Sequence, residues 1–268
     1  MTVLAAGAAD LRAAIARRSE HALQCGALLP IATTRSLIDD GGVRFVVREV
    51  SSLARKAAAA RPPAAAGATA ADPFLPYDPD LFVADLSGSH VALLNKYNVI
   101  ADHLLIVTRR FVAQDTLLDP ADFVALCNVL RAVDGLGFYN GGPEAGASQP
   151  HKHLQVVPLP LDESAPHVPI EALFDTARFV DGIGTVPGLP FRHAIANLDL
   201  MADDAARRAT GCYRTLLGAA GIGTREVQDV ACQAAPYNLL VTRRWMLAVP
   251  RTVERVEGIS INALGFAG

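Results

Sequence analysis

Leu11, Ile15, Ala22 and Leu23 recur at roughly helical spacing behind Asp10, which predicts a helix over residues 9–29. Gly41-Gly42 marks a turn before the β-rich run 43–47. Residues 57–73 are rich in Ala, Pro and Gly and lack large apolar groups. Such a stretch cannot bury enough surface to offset its ordering entropy, so a mobile loop is expected there, placed beside Lys56 to close over a substrate. The apolar runs 90–94 and 103–108 flank residues 95–102 and read as a hairpin. Asp119-Pro120 is a good N-cap and first-turn pair for a helix over 119–136, with Phe123, Leu126 and Leu130 as its stripe. Residues 160–199, rich in Pro and Gly, connect two halves. A second amphipathic helix is expected over 201–220, starting near Asp203-Asp204, and a strand pair over 237–250 around Arg243-Arg244. Val-Thr-Arg-Arg occurs at 107–110 and again at 241–244. The stretches 91–110 and 237–251 share an order of polar-ended strand, turn and apolar strand, which suggests a weak tandem repeat.

Residues 146–155 read Gly-Ala-Ser-Gln-Pro-His-Lys-His-Leu-Gln, and the apolar 156–159 follow, so His-x-His-x-Gln is expected on a strand. Alternate strand residues share a face: His151, His153 and Gln155 point one way, and Lys152, Leu154 and Val156 the other. A Gly-rich turn can offer N–H groups as an anion nest, and a neutral imidazole can attack phosphorus. Zinc ranks second, because Gln155 is a poor ligand and Cys25, Cys127, Cys212 and Cys232 stand far apart. A pair of satisfied core histidines is the plain alternative, weakened by Asn140, Gly141-Gly142, Ser148 and Gln149 upstream. No metal ligands are assigned. The glycines at 182–188 read as a loop, and His21, His167 and His193 as structural or surface residues.

A net charge of −3 and a pI near 6.2 give no basic footprint for nucleic acid. Few, scattered cysteines suit a reducing compartment, and no apolar run approaches the roughly 18–20 residues of a membrane helix. The start, Met1-Thr2-Val3-Leu4, does not read as a secretory signal, so a cytoplasmic protein is expected.

Phe138-Tyr139-Asn140-Gly141-Gly142 followed by residues 146–155 resembles the active-site motif of the diadenosine-tetraphosphate phosphorylases. These are ATP adenylyltransferases in the branch of the histidine-triad superfamily that ends in Gln. Asp72-Pro73-Phe74-Leu75-Pro76, Leu93-Leu94-Asn95-Lys96-Tyr97, residues 103–108 and Phe111-Val112-Ala113-Gln114 are similar to the family's first half. Tyr237-Asn238-Leu239-Leu240, Trp245-Met246-Leu247, Val249-Pro250-Arg251 and residues 260–266 are similar to its C-terminal region. The likeness runs from about Arg44 to the last residue.

The resemblance implies an α+β, histidine-triad-like fold, mostly antiparallel sheet with flanking helices. It implies a catalytic N-terminal region over 1–165 and an ATP adenylyltransferase region over 190–268. His153 is then the nucleophile on an α-phosphorus of diadenosine tetraphosphate: ATP leaves, a histidyl-AMP remains, and inorganic phosphate releases ADP in a reversible reaction. His153 has to be neutral, its other nitrogen donating to a backbone carbonyl near His151. Gly146, Ala147, Ser148 and Gln149 supply donors, with Ser148 and Gln155 also counted as catalytic. Lys56, Lys96 and Arg251 meet the polyphosphate. Asn95 and Asn140 take ribose or phosphate, and Asn238, Thr242 and Met246 line the second nucleotide's site. His103 matches the family pattern but reads as a packing residue. The expected partners are small nucleotides and inorganic phosphate; no cofactor is required, and a divalent cation (Mg) is an optional companion of the polyphosphate substrate. Neither nucleic acid nor membrane is expected, and the oligomeric state stays open. The rivals are another nucleotidyltransferase, such as a hexose-1-phosphate uridylyltransferase, which typically carries His-Pro-His, and a nucleotide sensor without chemistry.

Overall fold

The computed structural model describes residues 8–50, 72–163 and 167–267. Lys56 and most of the 57–73 stretch lie outside them. Helix α1 (Ala8–Cys25) ends before Gly26, whose φ of +78° cannot continue a helix, so the expected span to residue 29 overruns. Leu11, Ile15 and Ala22 enter the core and Leu23 stays exposed. Strands β1 (Thr33–Asp40) and β2 (Val43–Val50) form a separate hairpin across Gly41-Gly42.

The main sheet has ten strands. Its first half contains β3 (Phe82–Asp85), β4 (His90–Leu94) and β5 (Leu104–Thr108), then helix α2 (Pro120–Ala132), then β6 (Gly135–Gly141) and β7 (His153–Pro158). Its second half contains β8 (Arg178–Val180), β9 (Ile183–Thr185) and β10 (Ala194–Asn197). Helix α3 (Ala205–Ala220) and strands β13 (Tyr237–Val241) and β14 (Trp245–Pro250) complete it. Two small hairpins lie apart: β11 (Thr224–Val227) with β12 (Val230–Gln233), and β15 (Arg255–Val256) with β16 (Ile259–Ser260). Helix α4 (Ala263–Ala267) follows.

The strand order β3-β4-β5-β7-β6-β13-β14-β10-β9-β8 is the same arrangement twice, joined at β6 and β13. Each half is a three-strand meander, a helix, and a final pair whose second strand inserts beside the meander. The repeat expected from sequence is therefore present in topology but in another register. Residues 237–251 are the counterpart of β6–β7, not of 91–110. The seam carries Tyr-Asn on both strands, and Asn140 lies opposite Asn238. The supposed connector 160–199 also changes status, because β8, β9 and β10 within it extend the sheet.

Asp119 caps α2 through a capping box with Asp122. The helix stops at Ala132 rather than 136, since Gly135-Leu136-Gly137 already belong to a central strand. A Cβ on Gly137 would sit 2.8 Å from a Leu126 methyl, so glycine is what allows helix and strand to approach. The three long helices cover one face of the sheet, where Leu154 and Val156 of β7 join Phe123, Leu126 and Tyr213. The other face carries two separate clusters. One contains Phe74, Leu105 and Val107, the other Leu136, Phe138 and Leu247, and β7 runs between them.

Candidate active site

His153 and Gln155 share the face of β7 that lies between these clusters, while Lys152 points to the helix face as the alternation requires. There the Lys152 ammonium meets the Asp122 carboxylate and the Leu117 carbonyl, and His90 Nε2 lies 3.0 Å from the other Asp122 oxygen. Burial alone would raise the Asp122 carboxyl. The His90 hydrogen bond and the Lys152 charge outweigh it and hold the group below its ordinary range.

The two motif histidines differ in their free atoms. His151 Nδ1 is 2.7 Å from Asp72 Oδ2, and its Nε2 is 2.8 Å from the Thr108 hydroxyl and 2.9 Å from the Thr108 carbonyl, so both nitrogens are engaged. His153 Nδ1–H donates to the His151 carbonyl at 2.8 Å. That bond fixes the tautomer and leaves the lone pair on Nε2, which has no hydrogen-bond partner among the described residues. Burial pushes the imidazole down to about 4, against the raising effect of the carbonyl. The ring is 3% exposed and lies under Phe74, centroid to centroid 5.3 Å.

Beside Gln155, two residues along β7, opens a cavity of about 530 Å³, lined also by Asn95, Tyr97, His103, Phe138, Asn140, Gly146, Ala147 and Ser148; the buried His153 ring is not among its lining residues. His103 is not a packing residue, as its position had suggested. Its Nε2–H donates to Gln155 Oε1 at 2.9 Å while its Nδ1 accepts from Asn95 Nδ2 at 3.2 Å. Burial pushes this imidazole, too, down to about 4, so it stays in that neutral form. With its oxygen taken, Gln155 presents its NH₂ as donor. The sequence signal for this role was the isolated polar pair Asn95 and His103 bracketing the hairpin turn.

The turn is less of a nest than expected. Gly146 N–H is committed to the Pro143 carbonyl and Ala147 N–H to the Gly142 carbonyl. Gly146 matters instead through its φ of +88° and through Asn262, whose Cβ a methyl there would meet at 2.6 Å. Ser148 lines the cavity and also a smaller one beyond the turn, where Gln149 lies beside Phe111 and Gln114.

Several expected contacts are absent. Arg251 is not at the cavity: its guanidinium donates to Asn238 Oδ1 and to the Ile261 and Val253 carbonyls, tying down the C-terminal segment. Asn238 is fully buried and donates to Asn140 Oδ1 and the Ala145 carbonyl, supporting the turn from behind. Met246 points into the helix-side core, because one residue along a strand reverses the face. Thr242 sits in the β13–β14 turn, where its hydroxyl accepts the Arg244 and Trp245 N–H groups, and it lines a different cavity. Lys96 is next to two lining residues, but its ammonium is 3.9 Å from Asp78. Glu254, which the sequence did not single out, also lines the cavity, as do Ser260 and Asn262 from the family-like stretch 260–266, to which no site role had been given. Among the described residues, one group of potential metal ligands comes together, His21, Cys25 and Asp80, and it includes neither motif histidine.

A large antiparallel sheet presenting a neutral imidazole and an oriented amide donor beside a cavity is the histidine-triad type of nucleotidyltransferase site. Residues 3–176 match the family model of the Ap4A phosphorylase N-terminal domain and residues 187–268 that of the ATP adenylyltransferase C-terminal domain, so the chain belongs to the Ap4A phosphorylase family. It is 30% identical over 224 residues to diadenosine 5',5'''-P1,P4-tetraphosphate phosphorylase 2 of Saccharomyces cerevisiae, covering 74% of this chain and 68% of that protein. Its fold is similar to that of yeast Ap4A phosphorylase Apa2, with a TM-score of 0.78 and 26% identity over 97% of this chain and 85% of the other. The Apa2 structure in complex with Ap4A matches with a TM-score of 0.77 and 25% identity, over 97% and 88%.

Proposed function

We propose that this chain catalyses the reversible phosphorolysis of diadenosine tetraphosphate to ATP and ADP. The Nε2 lone pair of His153 attacks an α-phosphorus, the N–P bond forms, the bridging P–O bond breaks, and ATP leaves. A phosphate oxygen then attacks the histidyl-AMP, the P–N bond breaks, and ADP departs. The observation that carries this reading is the Nδ1 bond to the His151 carbonyl. It reserves Nε2 for attack and supports the positive ring that adenylylation creates. Gln155 NH₂ and Ser148 face the phosphate, and Tyr97 and Phe138 offer apolar faces for a base. Since Phe74 covers His153, that ring turns aside to admit the phosphorus, and a Phe74→Ala protein should carbethoxylate faster at His153, as read by peptide mass mapping. Glu254 is the charged side chain among the described lining residues, and a divalent cation such as Mg²⁺ that travels with the polyphosphate would offset the charge it meets there. Free thiols at Cys25, Cys127, Cys212 and Cys232 suit a cytoplasmic setting.

A substrate panel tests the assignment. Ap4A plus phosphate should yield ATP plus ADP; two ADP would indicate symmetric hydrolysis, and unchanged bound ligand a sensor.

A further inference from the structure

The ladder between β6 and β7 stops at Phe138 and Gln155. Two residues further along in that register, Asn140 faces His153, and the ladder does not join them. The Gln114 side chain stands between them: Oε1 accepts His153 N–H at 2.8 Å, and Nε2–H donates to the Asn140 carbonyl at 2.9 Å and the His153 carbonyl at 3.3 Å. An amide side chain thus substitutes for a peptide group at the point where the strands separate to make room for the turn. Gln114 is buried at 4% exposure, and its own backbone is fixed, with its N–H on the Pro150 carbonyl at 2.8 Å and its carbonyl accepting the Tyr139 hydroxyl. Lys152 N–H on the Val112 carbonyl at 2.7 Å completes the clamp on both sides of the nucleophile's main chain.

We propose that Gln114 is a positioning residue for the transfer, a wedge that sets the His153 main chain so that Nδ1 keeps its carbonyl and Nε2 its line of attack. The inference rests on His153 being the nucleophile. Because Gln114 acts on that main chain, its loss alters the adenylylation rate more than substrate affinity. Misplacing a reacting group by about 1 Å costs on the order of 100-fold in rate.

The test follows single-turnover adenylylation with Ap4A in wild type, Q114M and Q114E. Q114M keeps the volume without hydrogen bonds and should lower the rate about 10- to 100-fold while KM changes by less than about threefold. In Q114E a protonated carboxylic acid restores one donor and one acceptor, whereas the carboxylate faces two carbonyls. Its rate should recover as pH falls, a dependence wild type lacks above pH 6. The ionisable groups around the site are His151 and His153, Tyr139 on β6, and Asp115 paired with Arg225 at the rim. If Q114M is folded and adenylylates at the wild-type rate, or if only KM rises, the inference falls. Should Q114M not fold, a Q114E rate without recovery at low pH overturns it equally. Absence of any adduct in wild type would instead refute the parent reading.

Discussion

In the proposed mechanism burial keeps the His153 lone pair free across the whole neutral range: the imidazole is pushed down to about 4, so it is unprotonated at pH 5 as at pH 8. Ap4A has no terminal phosphate to titrate there. Single-turnover adenylylation should therefore stay level from pH 8 down to about 5 and fall only as pH approaches 4; a loss centred near 6.5 would contradict the assigned environment. The same two shifts govern stability. His103 and His153 bind protons more readily unfolded than folded, so their contribution is complete above 6.5 and is lost as pH falls from 6.5 towards 4. The loss is at most about 3 kcal/mol apiece. Urea unfolding across that window reads it directly. Gln155→Ala removes the phosphate donor and should lower kcat by about 10²–10³, while His103→Ala only frees the amide to rotate and should cost less. The shared face of His153 and Gln155 on β7, and the place of Ser148 in the turn before it, were legible because a motif carries its residues at fixed spacing. The His103 bond to Gln155 and the Gln114 bonds to His153 were not, since those partners lie 52 and 39 residues away and only the folded sheet brings them together; the Asn95–His103 pair was the one local sign.

At the scale of elements, β7 is held by contrasting faces, with imidazole and amide on one and a buried ion pair on the other. Lys152→Ala strips the ammonium from a buried Asp122 carboxylate that keeps its His90 and Asp119 N–H hydrogen bonds, and should destabilise by up to about 3–5 kcal/mol in chemical denaturation. Pairing Lys152→Met with Asp122→Asn should recover part of that loss, and a double-mutant cycle measures how much. Hydrophobic spacing located α1, α2, α3, the β4–β5 hairpin and the β13–β14 pair. It failed for the start of β6, where Gly135 and Leu136 were read as the end of a helix although Gly135 packs on β7 at Val156 and Val157, and for β8–β10, whose short strands look like a connector.

At the scale of the molecule, two similar halves share one sheet and meet at Asn140 and Asn238, but only the first has the imidazole. The second half contributes the rear support of the turn and, through Arg251, the anchored segment that brings Glu254, Ser260 and Asn262 to the cavity. Arg251→Ala should speed hydrogen exchange over residues 253–267 and raise KM, leaving adenylylation at saturating substrate close to wild type. From sequence this arginine read as a phosphate ligand, because motif position shows that a residue matters without showing what it touches. The central claim is the covalent histidine. Incubation with Ap4A in the absence of phosphate, followed by intact-mass analysis and peptide mapping, tests it most directly. The account predicts one AMP moiety on His153, discharged as ADP when phosphate is added and absent from His153→Ala. An adduct on His151, or turnover to ATP and ADP by the His153→Ala protein, would contradict it.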